Sequence, residues 1–240
     1  MPMTMPDEGA PFNGFEPDAI QFLKDLAAHN DRAWFQPRKQ EFQRLLKEPM
    51  ESLVAALGDR LRAMGIPLEA DPRKAVFRIY RDTRFSKDKS PYKTNIGASL
   101  QWAGDDGGSG ESSSGGGAYL HFKPGDSFMG GGMYMPEQAR LDAFRSAVVD
   151  DPGRVRAALE DPDFLATFGP VSSHESLKRV PPRYPADHPM ADLLRAKDVT
   201  FGRRLSDEEW LSPSLADTLA RDFATAVPVF RFFATLRPDR

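Results

Sequence analysis

Six cations crowd residues 78–93, RIYRDTRFSKDKSPYK, where Arg78, Arg81, Arg84, Lys87, Lys89 and Lys93 face only Asp82 and Asp88. That window carries +4 in a chain whose net charge is −3, so the residues outside it sum to −7. Like charges this close repel one another, and their density marks a site for something anionic. Arginine offers a planar fork to phosphate or carboxylate and lysine adds a point charge. The Ser86 and Ser90 hydroxyls, with loop N–H groups, complete an oxyanion cradle. The expected ligand-binding set is Arg78, Arg81, Arg84, Ser86, Lys87, Lys89, Tyr92 and Lys93. The opposing reading is a solvated hairpin whose Asp82 and Asp88 pair with neighbouring cations. Two residues could move a proton beside a bound anion. They are Asp82 and His121, the latter on a predicted strand that shares a face with Tyr119 and Lys123, opposite Leu120 and Phe122.

Other chemistries find less support. With no cysteine there is no disulfide, thiol nucleophile or thiolate metal site. Four dispersed histidines without paired spacing do not suggest zinc. Asp82 and Asp88 could ligate a hard cation, but with six cations nearby they read as ion-pair partners, so no metal is assigned. Gly130, Gly131 and Gly132 are not followed by the Gly-Lys-Ser/Thr of a phosphate loop, and no nucleophile elbow, HExxH or dinucleotide fingerprint occurs. No cofactor is named. Trp34 and Phe35 read as core aromatics, and Asp187-His188-Pro189 as a helix-opening turn capped by Asp187.

The positioning elements follow from periodicity. Apolar residues at Ala19, Phe22, Leu23, Leu26 and Ala27 predict a helix after Pro17, ending near Asn30. A second helix starts at Arg32 and is punctuated by Glu48-Pro49. A third carries Met50, Leu53, Val54, Leu57, Leu61 and Met64 and stops at Gly65. Alternation over 92–102 predicts a strand, with shorter ones at 75–81 and 118–124. Residues 104–117 form a Gly/Ser-rich loop joining two strands. Gly130, Gly131 and Gly132 predict a bulge or a close backbone approach. Helices return after Pro136, with Asp151-Pro152 and Asp161-Pro162 as cap and first-turn proline. A late strand covers 197–205, Ser206 and Glu209 form a capping box, and further helices open at Ser212-Pro213 and Pro228. Strands in one central block between helical blocks predict an α+β fold. Residues 12–236 form its single domain, with a mainly antiparallel central sheet flanked by N-terminal and C-terminal helices, behind a loose tail at 1–11. The N-terminus lacks the basic start and apolar stretch of a secretory signal, and no apolar run reaches roughly 20 residues. A cytoplasmic protein without membrane contact is expected.

The string RIYRDTRFSKDKSPYKT, with NDRAWF (30–35), GGGMYMP (130–136) and LKR…DHP (177–189), resembles the domain-of-unknown-function 2461 family of conserved bacterial and fungal proteins. The resemblance spans about 12–233 and implies one conserved domain with no assigned activity. Two positions depart from the family pattern. His29-Asn30 stands where two asparagines are frequent, and Arg183 stands in place of a glycine, adding a cation.

Three functions compete. The first is binding of a phosphorylated or otherwise anionic small molecule, such as a nucleotide, with or without catalysis. The second is nucleic-acid binding, with Arg84, Lys87 and Lys89 on phosphates and Phe85 or Tyr92 stacking on bases. An isoelectric point near 5.9 counts against it. The third is a non-catalytic module that docks an acidic protein surface.

Overall fold

The structure, a computed structural model, describes residues 11–84, 86–103 and 116–237. Nearly all of the N-terminal tail and of the Gly/Ser-rich loop, and Phe85, lie outside them. Pro17 occupies the first turn of α1 (Pro17–Ala28), which buries Ala19, Phe22, Leu23 and Leu26 on one face. Asp31 then caps α2 (Arg32–Phe35), its carboxylate accepting from the Trp34 N–H at 2.9 Å. The chain stays helical through a 3-10 turn (Gln36–Arg38), α3 (Lys39–Phe42), a π turn (Gln43–Lys47) and α4 (Glu48–Ala63). Pro49, expected to punctuate this run, sits in the first turn of α4 instead. The π turn just before it absorbs the bond that proline cannot donate. Met50, Leu53, Val54, Leu57 and Leu61 are fully buried as predicted, but Met64 at the helix end is 48% exposed.

Five strands among the described residues form one antiparallel sheet in chain order: β1 (Leu68–Glu69), β2 (Ile96–Trp102), β3 (Gly117–Phe122), β4 (Ser127–Met133) and β5 (Val199–Leu205). One face carries Ala98, Leu100, Ala118, Leu120, Met129 and Phe201 into the hydrophobic core. The close approach expected at the glycine run is made by β5. A Cβ at Gly130 would stand 2.2 Å from the Phe201 carbonyl oxygen, and one at Gly132 (φ +121) 2.3 Å from that of Val199.

The strand predicted at 75–81 is not regular. Its first residue closes the short helix α5 (Pro72–Ala75), and the rest contributes only isolated bridges, Val76 to Ala98 and Tyr80 to Tyr92. The Phe77 N–H donates to Gly97, that of Lys93 to Ile79 and that of Arg81 to Pro91. Pro91 has no N–H to return, so the hairpin pairs loosely.

The C-terminal block covers the core with α6 (Gln138–Asp150), α7 (Pro152–Leu159), α8 (Pro162–Phe168), α9 (Ala191–Arg195), α10 (Asp207–Leu211), α11 (Leu215–Thr225) and α12 (Val227–Thr235). Asp151 and Asp161 cap α7 and α8 by side-chain bonds, and Ser206 with Glu209 closes a capping box on α10. The turn before α9 is held by His188 rather than Asp187, its Nδ1 accepting from the Met190 N–H at 3.1 Å. The chain is therefore α+β, an antiparallel sheet between helical blocks at both ends.

Candidate functional site

The basic window folds back on the end of α1. Asn30 makes two bonds to the backbone of Tyr92: its Nδ2 donates to the carbonyl and its Oδ1 accepts from the N–H, both at 3.0 Å. A side-chain amide here replaces a neighbouring strand and satisfies groups that the loose hairpin leaves open. Tyr92 itself is 1% exposed. Its ring stacks on Phe35 at 4.1 Å, and its hydroxyl accepts from Gln36 Nε2 at 3.4 Å. Tyr92, expected among the ligand groups, is thus a core residue, and its ring holds the first helices to the basic segment.

A cleft of about 320 Å³ opens at this junction, lined by Asn30, Arg81, Asp88, Ser90, Lys93 and Asn95 among others. The cations around it divide into two groups. Arg81 pairs with Asp88 and donates to the Ser86 hydroxyl at 3.4 Å. Asp88 is held below the usual carboxylate range, first by the Ser90 hydroxyl and then by Arg81. Arg84 grips Asp82 at 2.7 Å, and that bond lowers the Asp82 pKa. Lys89 donates to the Thr83 carbonyl at 2.9 Å. Arg78, Lys87 and Lys93 belong to the second group: none has a carboxylate within salt-bridge distance among the described residues. Arg78 and Lys87 are exposed. Lys93 is half-buried, with its Nζ 5.1 Å from the Phe77 ring centroid. Its pKa is lowered first by desolvation and then by the nearby Arg78 charge.

Asn95 links the cleft to the open face of the sheet. Its Nδ2 lies 3.4 Å from His121 Nδ1, and the Tyr119 hydroxyl lies 3.1 Å from the same nitrogen. An amide nitrogen only donates, so His121 Nδ1 is the acceptor and Nε2 carries the proton. The imidazole stacks on Phe128 at 4.7 Å, and burial lowers its pKa while raising that of Tyr119. His121 is therefore neutral and presents an N–H donor. Asp82 and His121 do not meet, since the Asp82 carboxylate is engaged by Arg84 and the imidazole packs between Tyr119 and Phe128. Asn30 is legible in the sequence as a helix stop and as part of the NDRAWF string, and Phe77 only as one residue of a predicted strand.

A second, larger hollow of about 510 Å³ lies at the start of β4, beside the end of β5, lined by Gly125, Asp126, Ser127, Arg204 and Asp207 among others. Its cations have carboxylate partners. Arg204 pairs with Asp126, Lys123 reaches Asp126 at 3.0 Å, and the Gly125 N–H donates to Asp207 at 3.2 Å. Among the described residues no three His, Asp or Glu side chains are grouped to hold a metal ion, and no helix is long and apolar enough to cross a membrane.

An antiparallel sheet backed by helices, with a polar cleft at its edge, defines an α+β protein with a small-ligand-sized opening. More particularly, the chain belongs to the DUF2461 family of conserved hypothetical proteins, whose model matches residues 18–232. No curated protein and no solved structure matches it.

Proposed function

We propose that this protein binds a small phosphate-bearing anion in the cleft between Asn30 and the basic window, with residues 12–236 acting as one domain in the cytoplasm. The observation that carries the reading is the pairing of Arg78 with Lys93. Two cations stand close enough to depress the lysine pKa, neither has a carboxylate within salt-bridge distance among the described residues, and Lys93 is partly desolvated. Bringing like charges together and drying one of them costs stability unless an anion completes the site. Ser90 and Asn95 supply neutral hydrogen bonds at its edge. Arg81 and Arg84 are already paired within the loop and act by shaping it, so Arg78, Lys87 and Lys93 are the charges available to the ligand. If the bound molecule reacts, His121 is the group suited to handle a proton, because Asn95 ties it to the cleft.

The test is a thermal-shift panel of phosphate, sugar phosphates and nucleotides at low and moderate salt. A ligand at a hundred times its dissociation constant stabilises the fold by about 2.7 kcal/mol. The expected result is a shift that survives moderate salt and is lost in Lys93→Gln. A melting temperature indifferent to every phosphate compound would sink the reading.

A further inference from the structure

The open face of the sheet carries large aromatic side chains where solvent-facing polar groups would suffice. Register sets Gly97, His121, Phe128 and Arg204 in one row across β2 to β5, and Ser99, Tyr119, Gly130 and Gly202 in the next. Phe77 leans on Tyr119 at 6.0 Å, and Tyr119 lies 5.7 Å from Phe128. Phe77, a fully apolar ring, is 43% exposed, and Tyr119, His121 and Phe128 are each only partly covered. Beside Tyr119 the same row continues as Gly130, which is buried, and Gly202, which is exposed and carries no side chain. An exposed aromatic band that the core does not use is a recognition surface.

Its position relative to the cations names the ligand class. Lys93 Nζ is 5.1 Å from the Phe77 centroid, so a phosphate on that ammonium holds its own substituent over the aromatic band. Among the described residues, Arg78 and Lys93 at this end have no carboxylate within salt-bridge distance. At the opposite end of the His121 row, Arg204 is already neutralised by Asp126. One anionic terminus beside a stacking platform fits a single nucleotide better than a long polyanion, which the acidic remainder of the chain repels. We propose that the open face receives the ring of the bound anion: the ligand is a nucleotide, its phosphate on Arg78 and Lys93 and its base against Phe77 and Tyr119. This rests on the anion reading above and adds the base to it.

Titration calorimetry of the full chain with the four common nucleoside monophosphates, ribose 5-phosphate and inorganic phosphate separates the two. At least one nucleotide is expected to bind about tenfold or more tightly than ribose 5-phosphate, within the range that one base–aromatic stack provides. Phe77→Ala, at an exposed position, removes that advantage, so that on this variant the nucleotide binds no more tightly than ribose 5-phosphate. Phe77→Leu, which keeps apolar bulk without a ring, does the same. Equal affinities for every nucleotide and ribose 5-phosphate would overturn the base platform and leave the anion site standing. No binding by any of the six compounds would overturn both. A hexanucleotide that outbinds every mononucleotide by a hundredfold, with steep salt dependence, would also overturn the proposal and put a single strand on the face.

Discussion

The two hollows of the molecule differ in a way that size does not predict. The larger, about 510 Å³, has Arg204 and Lys123 both directed at Asp126, so its cations are paired. The smaller, about 320 Å³, has one closed pair, Arg81 with Asp88, and beside it Arg78 and Lys93, which among the described residues have no carboxylate within salt-bridge distance. The larger hollow is a surface whose cations already hold carboxylates. The smaller is left incomplete by its own fold, and incompleteness is what a ligand site requires before the ligand arrives. Uncompensated positive charge, more than volume, separates the two.

Charge reversal gives the largest break in this comparison. Lys93→Glu should lower phosphate affinity by roughly ten- to hundredfold, the worth of one hydrogen bond to a charged group, whereas Arg204→Glu should leave affinity within about twofold. Calorimetric titration of both variants decides it, and equal losses would erase the distinction between the hollows. Next in size is Asn30→Ala. Removing both bonds to the Tyr92 backbone leaves a half-buried N–H and C=O unanswered, which costs about 1–3 kcal/mol by denaturant unfolding and opens the smaller cleft. A loss under about 0.5 kcal/mol would mean that water replaces the amide without penalty.

The pH dependence sharpens the contrast more gently. Lys93 has a folded pKa below the ordinary 10.5, depressed by desolvation and then by Arg78. Between the folded and unfolded values the unfolded chain binds more protons, so stability rises with pH in the window just below 10.5. Lys93→Gln should flatten that rise, as should saturating phosphate, which favours the charged amine; melting curves from pH 8 to 11 are the readout. The larger hollow responds at the acid end. Asp126 is lowered to about 2, first by Arg204 and then by Lys123, so its contribution is present above 3.8 and disappears as pH falls through about 2. Asp88 adds an acid-labile contribution on the cleft side, so both hollows weaken in acid and only the smaller changes in base. The smallest effect is expected from Arg204→Ala, an exposed ion pair whose loss costs less than about 1 kcal/mol.

Much of this architecture could be read along the chain, because its causes are local. The stripe of α4, the caps at Asp151 and Asp161 and the Ser206–Glu209 box each need only a few neighbouring residues to declare themselves. Alternation likewise marked Leu120 and Phe122 for the core and Tyr119 and His121 for the other face. Hidden features depend on partners far away in sequence. Arg145 is 3% exposed because its guanidinium donates to the carbonyls of Leu194 and Ala196 at 2.9 and 2.8 Å, a role that a surface-looking arginine on α6 does not advertise. The basic window announced its charge but not how that charge divides into paired and unpaired cations, since the division depends on loop geometry. Tyr92 looked like a ligand group because its burial is imposed by Phe35 and Gln36 from another part of the chain.

The bond between Asn30 and Tyr92 also has a kinetic side. It joins residues 62 apart in the chain, so the loop it closes must be ordered before the bond can form. Helices such as α1 and α4 organise from local contacts, whereas this clasp belongs to the later, non-local part of folding. Asn30→Ala should therefore quicken unfolding and leave the refolding rate almost unchanged, the signature of an interaction absent from the transition state. Stopped-flow rates of the variant and the unaltered chain check this; a refolding rate slowed as much as the stability loss would place the clasp in the transition state instead.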